Sequence, residues 1–197
     1  MALLACAGVL ASIAAAPGLP GLLGGVLALL MIAIAAVDAR HFIIPDALSA
    51  PAFLLALAAA WIRCRDGTGY GSSICSGSIL ADLATTVLRG AVLALAFLAL
   101  RELYRWLRGR EGLGLGDVKL AGVAGAWLGW ATIPISIEIA ALVALAVHII
   151  WRRSSGLPLR ATTRLPFGLF FAPAIWLCWF LEAVLTRSQG PWSDFIG

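Results

Sequence analysis

Apolar runs, broken at intervals by short clusters of charge, proline and glycine, organise this chain from end to end. A first uncharged stretch, 2–16, stops at Pro17-Gly18-Leu19-Pro20, and further apolar segments follow at 21–37, 47–62, 83–100, 118–133, 135–151 and 165–185. A membrane-crossing helix needs roughly 20 residues at ~1.5 Å each, with ~17 as a lower limit, so the shorter segments must borrow from their flanks. Pro134 is expected to separate the segments on either side of it. Residues 2–16 either span a thin or distorted bilayer or lie re-entrant. The pattern predicts an all-α, polytopic integral membrane protein with six or seven transmembrane helices, in a single domain over 1–197.

Composition sharpens this picture. The chain is 62% hydrophobic and 12% charged, too few charges to cover the surface of a soluble domain. Helical spans satisfy the backbone in lipid. The net charge of +4 does not indicate nucleic acid, because no basic stripe lies on a soluble module that could track phosphates. It reads instead as topology. Ten basic residues (Arg40, Arg101, Arg105, Arg108, Arg110, Lys119, Arg152, Arg153, Arg160 and Arg164) flank one side of the segments, and Arg63, Arg65, Arg89 and Arg187 flank the other. Basic loops stay in the cytoplasm, which places the first set there.

The cysteines Cys6, Cys64, Cys75 and Cys178 form no Cys-x-x-Cys pair, so no metal site is expected. Cys64 and Cys75 share one loop and either form a disulfide in an oxidising compartment or are two unrelated small residues. Leu3-Leu4-Ala5-Cys6 has neither a basic nor an apolar stretch before it and is not read as a lipoprotein cleavage box. The eight tryptophans are expected as interfacial anchors. Glu138, Glu182 and His148 are expected to snorkel to an interface.

Two other acids stand out. Asp38 closes Ala35-Ala36-Val37-Asp38, and Asp117 follows Gly114-Leu115-Gly116 at the start of an apolar helix. An acid at a membrane boundary is costly and marks a functional site by default. Two crossings, 47–62 and 83–100, separate them, so both lie at the same cytoplasmic boundary. Paired carboxylates can hydrolyse a peptide bond, one taking a proton from water while the other donates one to the scissile carbonyl. Close together they cannot both ionise easily, and they titrate as a unit. Asp117, in a first helical turn, is favoured in its ionised form by the helix dipole, which suggests it as base and Asp38 as acid. Gly114 and Gly116 allow close backbone approach and unusual φ/ψ. Lys119 tunes Asp117, binds substrate or anchors the cytoplasmic boundary, and Asp46 reads as a cap for the helix starting at Ala47.

Asp38, then Ile44-Pro45-Asp46, then Gly114-Leu115-Gly116-Asp117-Val118-Lys119-Leu120, then Leu165-Pro166-Phe167-Gly168, in that order over about 21–185, resembles the type IV prepilin peptidases. The resemblance implies an aspartic endopeptidase of the bacterial inner membrane. It would cut the basic leader from prepilin-like substrates at the cytoplasmic face, with Asp38 and Asp117 catalytic and no cofactor. Pro166 and Phe167, where the last segment enters from that face, would help shape the site, and Glu102, Glu111 and Asp46 are candidates to orient a basic leader. The N-terminal cytoplasmic insert with paired cysteines of many members is not seen. The chain therefore resembles the short, peptidase-only branch associated with Flp-type (Tad) pili, and methyl transfer is not expected. Two alternatives stay open. A presenilin-like protease shares the Gly-x-Gly-Asp run, but Val37 stands where that family has tyrosine. A membrane assembly factor or small transporter would use the acids to bind cations or protons.

Overall fold

The computed structural model describes residues 2–66, 78–109, 113–154 and 166–189. These residues form seven helices: α1 (Ala2–Ala15), α2 (Leu19–His41), α3 (Asp46–Asp66), α4 (Ile79–Arg108), α5 (Leu115–Trp127), α6 (Thr132–Ser154) and α7 (Phe167–Gln189). Five of them, α2, α3, α4, α6 and α7, are long and apolar enough to cross a membrane. The protein is all-helical among the described residues and polytopic, as its hydrophobic pattern predicts. Helix α1, with 14 residues, and α5, with 13, are shorter than a span.

The break between α5 and α6 lies earlier than Pro134. Helix α5 stops at Trp127 because Leu128 turns extended, with φ −97° and ψ 153°. Pro134 falls in the first turn of α6, where its missing N–H would have had no intrahelical partner anyway.

Helix α5 is the centre of the bundle. It packs on α3, α4 and α7, and every residue from Leu120 to Leu128 is buried. Its apposition to α4 depends on small residues: a Cβ on Gly125 would come within 2.5 Å of the Arg89 carbonyl, and one on Gly90 within 2.9 Å of the Gly122 carbonyl. Small residues let helices approach closely in lipid, where van der Waals packing drives association. Phe97 of α4 stacks on Phe171 of α7, with centroids 5.8 Å apart. The tryptophans divide in two. Trp106, Trp130 and Trp151 are exposed, as interfacial anchors would be. Trp127 and Trp179 are instead buried edge-to-face, and the Trp127 indole N–H donates to the Ala52 carbonyl at 2.9 Å. A buried indole needs such an acceptor.

A buried polar cluster lies where α5 turns into α6. Glu182 does not snorkel. It is 8% exposed and accepts from the Gly129 N–H at 3.0 Å and from the Thr132 hydroxyl. The positive charges of Arg63 and Arg89 act on it. Arg89 likewise is no loop residue; it is buried within α4. Cys64, near the C-terminal end of α3, is disulfide-bonded, while Cys75 and Trp192 lie outside the described residues.

Candidate active site

At the opposite end of the bundle, the C-terminal turn of α2 meets the N-terminal turn of α7, and Ile44, in the link that follows α2, lies against the first turn of α5. Helix α2 runs past Asp38 to His41 before Phe42 ends it in the left-handed region, φ 54° and ψ 31°, with the Phe42 N–H on the Asp38 carbonyl at 2.9 Å. Asp38 therefore sits inside the last turn rather than at its end, and it is buried. Its carboxylate accepts the Leu169 N–H at 2.8 Å, with a second backbone hydrogen bond from Gly168. Both groups belong to the first turn of α7, whose N–H groups have no intrahelical acceptor. Asp38 thus caps a helix 131 residues away in sequence.

Asp117 is held by its own helix. Its carboxylate accepts the Gly114 N–H at 3.2 Å, three residues back, as the third residue of a helix does in a capping box. It opens α5, outside the five spanning helices. Burial pushes its carboxyl up to about 6; the Gly114 N–H opposes that rise and the Asp38 charge adds to it. The helix N-terminus does not decide its charge state, because desolvation outweighs it. The two carboxylates thus lie close enough for each charge to act on the other.

The glycines serve a different purpose from the one their sequence suggests. Gly114 has ordinary extended angles, φ −75° and ψ 151°, so its backbone needs no special freedom. Gly116 is required by close approach, though to Ile44 rather than to open space: a Cβ there would lie 2.9 Å from the Ile44 Cβ. Gly168 matches it from the other side, since its Cβ would meet both the Asp38 carboxylate and Ile44 Cδ1 at 2.8 Å.

The remaining candidates scatter around this centre. Lys119 forms an ion pair with Asp46 across 73 residues of sequence. Asp46 is the first residue of α3, and its carboxylate is used in that pair. Pro166 immediately precedes α7, and the Phe167 ring packs on Phe171 with centroids 5.2 Å apart, turning into the core. Glu102 pairs with Arg105 at 3.1 Å and with Arg101 at 3.4 Å. Glu111 and Leu165 lie outside the described residues. Sequence reasoning did not select Ile44, Gly168 or Arg101. Arg101 donates to the Leu113 carbonyl at 3.2 Å and so ties the segment leading into α5 to α4. Ile44 and Gly168 stood within the quoted motifs, beside residues with more evident chemistry.

The fold and this end of the bundle define a polytopic membrane protein with two carboxylates, Asp38 and Asp117, at the same end. Sequence comparison places that class within a family: the type IV leader peptidase family profile matches residues 25–149, and the chain belongs to that family. A protein of Dickeya chrysanthemi named prepilin leader peptidase/N-methyltransferase is 35% identical over 164 residues, covering 79% of this chain and 49% of the relative. One of the same name from Pseudomonas aeruginosa is 30% identical over 166 residues, covering 84% and 51%. The chain spans about half the length of these curated relatives. No solved structure matches it.

Proposed function

We propose that this chain is a multi-pass aspartic endopeptidase of the inner (plasma) membrane, a single domain over 1–197 with its motif core at about 21–185. It removes the basic leader from type IV prepilin-like precursors at the cytoplasmic face, in the manner of the peptidase-only branch that serves Flp-type pili. The observation that carries this reading is geometric: Asp38, bonded to the first turn of α7, and Asp117, in the first turn of α5, are brought to one end of the bundle where Gly168 and Gly116 both lie against Ile44. Family membership and the relatives' names support the substrate class. The excess of basic residues on the Asp38 side supports the cytoplasmic face. The disulfide-bonded Cys64, at the far end of α3 from Asp46, belongs in an oxidising compartment and supports the same orientation.

The chemistry then follows from one shared proton. Ionised Asp38 takes a proton from a water molecule, whose oxygen attacks the scissile carbonyl carbon. Protonated Asp117, the member of the pair raised by burial and by the Asp38 charge, gives its proton to the carbonyl oxygen, leaving a tetrahedral diol. The proton taken up by Asp38 passes to the leaving nitrogen as the C–N bond breaks, and Asp117 recovers its proton from the diol. A co-expressed prepilin, followed by the mobility shift on leader removal, provides the test. Wild type is expected to process it, while Asp38→Ala and Asp117→Ala, at equal membrane levels, leave it uncut. Normal processing by both variants would remove the paired-aspartate mechanism and move the protein to a transport or assembly role.

A further inference from the structure

At the Asp38 end of the bundle stands a side chain with no chemistry of its own. Ile44 lies in the short link between α2 and α3, just after the left-handed turn at Phe42, and is 5% exposed. A Cβ on Gly116 would meet the Ile44 Cβ, Cγ1 and Cδ1 at 2.9, 3.1 and 3.3 Å, and one on Gly168 would meet Ile44 Cδ1 at 2.8 Å. One branched side chain therefore bridges the first turn of α5, where Asp117 follows Gly116, and the first turn of α7, whose N–H groups hold Asp38. Both glycines are seats for it. Two residues beyond Ile44, Asp46 pairs with Lys119, which lies two residues beyond Asp117. That pair is well exposed, at 72% and 47% of the two side chains. Exposed ion pairs contribute little to stability, so its use here is positional: it holds the link in register with α5.

We propose, resting on the aspartic-protease reading above, that Ile44 is a positioning residue that sets the separation of the two aspartates, with the Asp46–Lys119 pair keeping it seated. Interiors are close-packed, so a spacer of fixed volume fixes what lies on either side of it. The roles of its atoms differ. Shortening Ile44 to Val keeps Cβ and Cγ1 against Gly116 and removes only the Cδ1 that reaches Gly168. Shortening it to Ala leaves a gap on both sides. Adding a methyl at Gly116 drives into a full seat, and that clash eases at Cγ1 and Cδ1 once the Ile44 side chain is cut back to alanine.

The test is a rescue experiment on the full-length protein in detergent, using a prepilin-derived substrate, with kcat, KM, the whole pH profile and Tm measured for each variant. A misplacement near 1 Å costs about 100-fold in rate, so Ile44→Ala and Gly116→Ala are each expected to lower kcat about 10- to 100-fold with KM little changed. Ile44→Val is expected to lose only about threefold, because most of the spacer remains. In the double variant Gly116→Ala with Ile44→Ala, which removes Cγ1 and Cδ1 and leaves their volume to the new methyl, kcat is expected to recover at least about tenfold over Gly116→Ala alone, as coupled neighbours are non-additive. Ile44→Ala should also move the limb near pH 6, because the like-charge interaction depends on the spacing. Strict additivity of the two substitutions, or an Ile44→Ala enzyme with wild-type kcat and pH profile, overturns the proposal. Asp38→Asn and Asp117→Asn run alongside. If they still cleave, the aspartic reading itself fails; if they are inactive while the Ile44 series is additive, only the positioning role fails.

Discussion

Each end of this bundle has a buried carboxylate that accepts a backbone N–H from a neighbouring segment, and the two differ in the charge facing them. Asp38 accepts the Leu169 N–H and faces Asp117, a like charge. Glu182, roughly 20 Å further along from Leu169 on α7, accepts the Gly129 N–H and faces Arg63 and Arg89. Opposite charges in a low-dielectric interior stabilise each other's ionised forms. Like charges there make one member hold its proton. The second arrangement is costly to fold and useful to a catalyst; the first ties helices together. The comparison shows why a buried acid in a membrane protein does not by itself mark an active site: the sign of its neighbours decides.

Breaking the pair should affect chemistry and spare the fold. Asp38→Ala or Asp117→Ala is expected to lower the cleavage rate at least about 10³-fold, the scale of a lost general acid or base. Tm should change little for Asp117→Ala, whose bond to the Gly114 N–H is exposed, and fall for Asp38→Ala, because the Leu169 N–H loses its acceptor, at about 1 kcal/mol of stability or more. Cleavage assays and thermal unfolding in detergent check both halves.

Glu182→Ala should do the reverse. It takes the acceptor from the Gly129 N–H and the Thr132 hydroxyl, at about 1–3 kcal/mol of stability, the cost of leaving a buried donor unsatisfied. Glu182→Gln, which keeps an acceptor, should lose less. The kcat of the folded fraction should stay within about threefold, since the acids lie at the other end of α7. A large loss of kcat at unchanged Tm would contradict the division between the two ends.

Gly168→Ala is a smaller perturbation of the catalytic end. Its methyl would meet the Asp38 carboxylate and Ile44 at 2.8 Å, and the displaced acid should lower kcat about 10- to 100-fold. The pH profile follows from Asp117, raised to about 6. Above that value Asp117 loses the proton it donates, so activity should fall as pH rises through about 6, approaching tenfold per unit. Below it, activity should hold until Asp38 also takes up a proton and no base remains, giving a bell-shaped profile. The smallest effect belongs to Trp127→Phe, which gives up the bond to the Ala52 carbonyl. About 1 kcal/mol of stability should go, with cleavage unchanged.

Much of this was legible in the chain itself. Apolar run length predicts helices and a bilayer, because backbone polar groups in lipid can be satisfied only within a helix or a closed barrel. The order Asp38, Ile44-Pro45-Asp46, Gly114 to Leu120 and Pro166-Phe167-Gly168 points to the candidate pair. Counting crossings puts both acids on one side without any coordinates. Glu182 and Arg89 show where the method ends. A charge near a helix end reads as a solvated or snorkelling group, and nothing local reveals that an arginine on another helix will face it.

What the sequence determined alone is therefore what depends on local pattern: helix content, membrane embedding, and the two aspartates as the residues to examine. What only the tertiary structure decided depends on residues brought together from distant positions. Asp38 caps α7 from 131 residues away; Lys119 is used by Asp46; Ile44 fills the space that Gly116 and Gly168 leave. Hydrophobic periodicity records which face of a helix is buried and carries no information about the atom opposite. A glycine conserves room without naming its occupant, and a carboxylate's protonation is set by neighbours that the packing supplies.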